Sequence, residues 1–129
     1  TRDVTSVASA SSLVVGAANV CLSGATSGVQ CGGISHSFPR TLYYQYTHPQ
    51  TGVKMTKGVT RLACSYARAV GGDSGAPVYR TTSNSSPYTA EAVGIVSASV
   101  VTSSGSFLHH CFSPQSEVER YTGTKTLLK

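Results

Sequence analysis

Short apolar runs alternate with clusters of turn-forming residues along almost the whole chain. The pattern predicts strands over residues 13–21, 30–38, 42–47, 53–63, 76–79, 92–99 and 106–112. Ser/Gly/Asn/Pro-rich stretches at 23–28, 48–52, 82–87 and 102–105 separate them. Many short strands punctuated this way predict a β-sandwich or barrel. Only one helix signal is convincing: Ser113 can cap, Pro114 suits a first helical position and Gly123 stops the segment 114–121. The polar opening, residues 1–12, fits either a linker or an edge strand.

Composition sharpens this picture. At 129 residues the chain holds one core. Charged residues make up only 12% and apolar ones 40%, which excludes a helical bundle and a disordered chain. The formal charge of +5 invites a nucleic-acid reading, but the ten Lys and Arg are scattered singly, without a basic run carrying interleaved aromatics. No nucleic-acid partner is therefore expected. Nor is a membrane, since no stretch approaches the roughly 20 apolar residues that cross a bilayer.

Four cysteines without a Cys-x-x-Cys pair or zinc-type Cys/His spacing argue against a metal, so neither a metal nor any cofactor is expected. An even count in a Ser/Thr/Gly-rich chain points to two disulfides and an oxidising, extracellular compartment. Three pairings are possible. Cys21 with Cys31 is the natural local one, which leaves Cys64 with Cys111; loop closure would make them contribute about 3 and about 4 kcal/mol.

The chemistry concentrates in Gly71-Gly72-Asp73-Ser74-Gly75-Ala76-Pro77-Val78. Ser74 lies between glycines in a stretch that can be neither regular strand nor helix. A serine on such a turn presents its Oγ clear of the chain, and a preceding glycine lets backbone N–H groups point at a carbonyl oxygen becoming an anion. Asp73 can turn inward and hold the bend if N–H groups or a buried cation meet it. An ordinary Gly-Asp-Ser-Gly turn is the plain alternative for the tetrapeptide alone; the longer motif in an all-β, two-disulfide chain favours a nucleophile.

Gly72-Asp73-Ser74-Gly75-Ala76-Pro77 resembles the nucleophile motif of the chymotrypsin-like serine proteases, and its flanks resemble the streptogrisin and α-lytic protease branch. Val15-Gly16-Ala17-Ala18-Asn19-Val20-Cys21, Ser23-Gly24, Thr26-Ser27-Gly28 and Cys31-Gly32 are similar to a disulfide loop of that branch. Asp3-Val4-Thr5-Ser6 resembles the start of its second barrel, and Phe112-Ser113-Pro114 through Tyr121 its final helix. The resemblance covers only that barrel. It implies an all-β, antiparallel Greek-key barrel of six strands with a short C-terminal helix. Ser74 would be the catalytic nucleophile, with the N–H groups of Gly72 and Ser74 as oxyanion hole and Asp73 as support. Ser97, Ala98 and Ser99 would line the strand that pairs with a polypeptide substrate, Ser97 also matching the serine that supports the triad aspartate. The Cys64–Cys111 link would tie the nucleophile loop to the far pocket wall.

Where the chain departs from that pattern is equally informative. The histidine and aspartate of the triad belong to the family's first, N-terminal barrel, and nothing here matches it: the only aspartates are Asp3 and Asp73, and His36, His48, His109 and His110 lie in strand or turn contexts suited to surface or packing. The implied partner is an N-terminal barrel, absent from this chain, carrying His and Asp. Alone, the chain would be a very poor protease, because an unassisted serine hydroxyl is a weak nucleophile. The branch places an arginine against the motif aspartate where this chain has Leu22, leaving Arg40, Arg61 and Arg68 as candidate counter-ions. Residues 64–71 look longer than usual, and no acid lies among them to select a basic substrate side chain. Asn84-Ser85-Ser86 matches a glycosylation acceptor, read here as chance. Tyr43, Tyr44 and Tyr46 read as edge-strand packing. The alternative function is an inactive binding or structural barrel derived from such a protease.

Overall fold

A computed structural model describes residues 2–83 and 85–128; Asn84, and with it the acceptor pattern, lies outside the described residues. Eight strands form one sheet: β1 (Asp3–Val7), β2 (Val20–Gly24), β3 (Gly28–Gly32), β4 (Ile34–Thr47), β5 (Lys54–Ser65), β6 (Pro77–Ser83), β7 (Thr89–Val101) and β8 (Phe107–Pro114). Helix α1 (Gln115–Thr122) follows, and a 3-10 turn occupies Ala10–Ser12. Seven strands run antiparallel in the order β3-β2-β6-β7-β8-β5-β4, while β1 lies parallel to β7. The all-β architecture and closing helix match expectation; the strand count exceeds six.

The core sits inside this curled sheet. Leu13, Val20, Leu22, Ile34, Val78, Val93 and Phe112 are fully or almost fully buried there. Burial is consecutive where strands are covered on both faces, over residues 20–22 of β2 and 62–65 of β5.

Three predicted segments change. Only residues 20–21 of the segment 13–21 are strand: the chain turns at Gly16 with φ +93°, closed by a bond from Ala17 N–H to Val14 O (3.0 Å), so β2 begins at Val20. The segment 30–38 splits at Gly33 between β3 and β4. Its second half then joins 42–47 into one long strand through Pro39, which lacks an N–H to donate. That is tolerated because β4 ends the strand order and its register with β5 is irregular between His36 and Leu42. On the far side of that irregularity Arg61 takes φ +59°, which a side chain seldom adopts.

At the C-terminus Pro114 caps α1 instead of opening it, and Gly123 closes it at φ +69° by donating to Glu119 O. The buried Glu117 in its first turn is met by Arg61 from β5 and, at 3.6 Å, by Arg120. Disulfides join Cys21 to Cys31 across β2–β3 and Cys64 to Cys111 across β5–β8.

Candidate active site

The segment between β5 and β6 carries the Gly-Asp-Ser-Gly motif, and its main chain is pinned at alternate residues. Asp73 N–H donates to Val70 O (3.0 Å), and Ala76 N–H donates to Asp73 O (3.0 Å). From β7, Val96 O accepts Gly75 N–H (2.9 Å) while Val96 N–H donates to Ala76 O (2.9 Å). The N–H groups of Gly72 and Ser74 have no hydrogen-bond partner among the described residues. Ser74 is exposed, and glycines at φ +96° (Gly72) and +83° (Gly75) flank it and Asp73. A side chain on Gly72 would meet both that dihedral and the Thr26 hydroxyl, so the position demands glycine twice over.

Asp73 explains why the turn holds. Its carboxylate is almost wholly buried, at 1% exposure, beneath the hairpin turn that joins β2 to β3. One oxygen accepts the N–H groups of Thr26 (2.9 Å) and Ser27 (3.1 Å); the other accepts the Ser27 hydroxyl and Val70 N–H (2.9 Å). The Ser27 hydroxyl first, then the Val70 amide, hold the carboxyl well below the usual carboxylate range; burial opposes them, and the Thr26 and Ser27 amides add to them. Gly24 is required alongside, because a Cβ there would collide with the carboxylate.

None of the arginines considered as counter-ions meets Asp73. Arg61 pairs with Glu117, Arg68 lies over the Phe107 ring at 5.8 Å, and Arg40 acts on His36 and His109. Leu22, in place of the anticipated cation, is fully buried in the core. Uncharged donors do the work instead: the Ser27 hydroxyl and the main-chain N–H groups of Thr26, Ser27 and Val70.

The rest of the loop is tied to β7 and β8. Ser99 Oγ donates to Ala69 O (2.7 Å), and His110 Nδ1 donates to Ala67 O (2.8 Å) with Ser65 Oγ at 3.1 Å. This leaves His110 Nε2 unprotonated, buried and without a partner among the described residues. Burial pushes the ring's pKa down, the Ala67 carbonyl acts against that shift, and His109 adds to it. His110 therefore packs, and so anchors the loop; its strand position alone carried no sign of that contact. Ser97 is exposed and Ala98 half-buried on β7, immediately beyond the Val96 contact with the motif.

No histidine reaches Ser74 among the described residues. His36 and His109 lie against each other with centroids 4.4 Å apart, and His48 accepts the Gln50 and Thr51 N–H groups in its own turn. The structure thus holds Gly72, Asp73 and Ser74 on one turn bonded to Val96 of β7, with Ser97 next along that strand, and among the described residues no histidine meets the hydroxyl.

Solved structures match this chain over essentially its whole length. Thermobifida fusca protease A is 26% identical with a TM-score of 0.62, covering 100% of this chain and 55% of its own. A serine protease specific for glutamic acid, described as using a histidine triad in substrate binding, is 23% identical with a TM-score of 0.62 over 95% of this chain and 52% of its own. The chymotrypsin of Cellulomonas bogoriensis is 22% identical with a TM-score of 0.61 over 98% and 55%. Its structural neighbours are bacterial chymotrypsin-like serine proteases. No protein-family model and no curated protein matches the chain. It spans about half the length of the proteases it resembles.

Proposed function

We propose that this chain is the second, Greek-key barrel of a secreted chymotrypsin-like serine endopeptidase, with Ser74 as nucleophile. One observation carries the reading. Of the four amides at 72–75, those of Asp73 and Gly75 are bonded internally while those of Gly72 and Ser74 remain open beside an exposed hydroxyl. Two open donors at the nucleophile would receive the oxygen of a tetrahedral intermediate, each donor being worth about 3 kcal/mol in such sites.

Ser74 Oγ attacks the scissile carbonyl carbon, and its proton passes to a histidine held by an aspartate. The carbon–nitrogen bond breaks as that histidine returns the proton to the leaving amine; water then releases the acyl group by the same route. The histidine and aspartate come from a first barrel, in the same polypeptide or a partner, which accounts for the unmatched half of the relatives. Ser97–Ala98–Ser99 would pair with the substrate backbone. Two disulfides and the resemblance to bacterial proteases support an extracellular location.

The absence of a histidine beside Ser74 favours one other reading, a non-catalytic barrel of the same descent. Peptide hydrolysis by the full gene product separates them. Activity that falls by about a thousandfold or more in Ser74→Ala supports the endopeptidase; equal rates in both proteins, or none in either, support the scaffold.

A further inference from the structure

The disulfide Cys64–Cys111 does not lie among aliphatic side chains alone. His36, Cys64 and Cys111 occupy one row across three strands, in register from β4 to β5 to β8. His109 stands two residues from Cys111 on β8 and so points to the same face. The two imidazoles meet over that row, and a ring nitrogen of each, together with Cys64 Sγ, lie within 4.8 Å of one another. Both sulfurs are fully buried while both rings are only half-buried, so the imidazoles stand between the disulfide and solvent.

We propose that His36, His109 and the Cys64 thiolate, with Cys111 as fourth donor, form a tetrahedral site for a zinc-type divalent ion that exists only while the disulfide is reduced. Two thiolates and two imidazoles are the donor set such an ion prefers, at about 2.3 Å to sulfur and about 2.0–2.1 Å to nitrogen. Ligand atoms around such an ion sit roughly 3.3–3.8 Å apart, which is a modest contraction of the His36–Cys64–His109 cluster and requires the two sulfurs to move apart once their bond is broken. Ser35 Oγ, 3.1 Å from His36 Nδ1, is the kind of outer contact that orients a ligating ring. The neighbouring Arg40 opposes a cation here.

In the oxidised chain neither sulfur is a thiolate and the set is incomplete. A dithiol reductant breaks the S–S bond by exchange, supplying two electrons and two protons and ending as a disulfide itself. The ion then displaces the thiol protons. Metal and disulfide are therefore alternative clasps on β5 and β8, the metal holding β4 as well and suited to a chain not yet oxidised. This inference is independent of catalysis at Ser74.

Cobalt(II) reports on it directly. The full chain, reduced with a phosphine under anaerobic conditions, is expected to bind one Co2+ with a sulfur-to-cobalt charge-transfer band and tetrahedral visible absorption, and the oxidised chain neither. The band should vanish in Cys64→Ser/Cys111→Ser, which retains Cys21 and Cys31. In His36→Ala/His109→Ala, which retains all four thiols, affinity should drop by about a hundredfold or more, whereas Arg40→Gln should tighten binding. An unchanged band in the histidine variant, or no band in the reduced wild type, overturns the proposal. If reduction alone unfolds the chain, Zn2+ must restore its far-UV circular dichroism in the wild type and not in the histidine variant; recovery in both or in neither also overturns it.

Discussion

The molecule buries two acids, and it treats them in opposite ways. Glu117, in the first turn of α1, is met by the guanidinium groups of Arg61 and Arg120. Asp73, under the β2–β3 turn, is met by three backbone N–H groups and one hydroxyl, with no cation. A guanidinium on a long side chain leaves its carboxylate some freedom. Three main-chain donors from two loops do not, because moving Asp73 means moving both loops. The rigid solution stands next to Ser74, where the direction of a hydroxyl and two amides decides whether anything happens. The looser one fastens a helix to the sheet.

The sharpest way to break this contrast is Asp73→Ala. It leaves four donors unsatisfied beneath the hairpin, so fluorophosphonate reactivity at Ser74 should fall by about a hundredfold, the scale of a 1 Å misplacement. Retained reactivity would mean that the turn stands without its anchor. Acid should act on the same point. Because the folded Asp73 carboxyl lies below its ordinary value, the unfolded chain takes up the proton first as pH falls. The stability it contributes is complete above roughly pH 4, the unfolded value, and declines below that as pH approaches the folded value. Circular dichroism across pH 2–5 should therefore show a steeper loss in the wild type than in Asp73→Asn, which cannot titrate.

Gly72→Ala tests the backbone half of the arrangement. The unfavourable dihedral together with the Thr26 contact should cost about 2 kcal/mol in urea unfolding; a neutral result would show that the turn relaxes freely. Glu117→Gln should cost less, about 1 kcal/mol, since water screens the partly exposed Arg61 and the exposed Arg120. Raising salt from 0.1 to 1 M should shrink that difference and leave the Asp73→Asn difference nearly unchanged.

Legibility in the sequence follows the same division. Gly-Asp-Ser-Gly-Ala-Pro could be read as a tight turn with an exposed serine because such a bend is local: six adjacent residues specify it. Apolar runs set between clusters of turn residues located five of the β-segments, and Pro114 with Gly123 bracketed the helix to within a residue. What escaped depended on partners remote in the chain. N–H groups were one of the two kinds of partner open to Asp73, but that Thr26, Ser27 and Val70 supply them, together with the Ser27 hydroxyl, is set by the fold. Leu13-Val14-Val15 looked like a strand, yet Val14 and Val15 are exposed, at 41% and 62%, on the way into the Gly16 turn. The segments 30–38 and 42–47 read as separate strands, but the chain runs on through Pro39, which an edge strand accommodates. The meeting of His36 with His109 across β5 is set by register, which periodicity does not reveal.

The whole account comes to rest on an accessible, correctly held hydroxyl at position 74, and covalent capture reads it most directly. The full gene product should be treated with a fluorophosphonate and the adduct mapped by peptide mass spectrometry. The account predicts stoichiometric modification of Ser74 in the wild type, with none at that site in Ser74→Ala. Modification spread across exposed serines, or absent from Ser74 while the fold is intact, would contradict it.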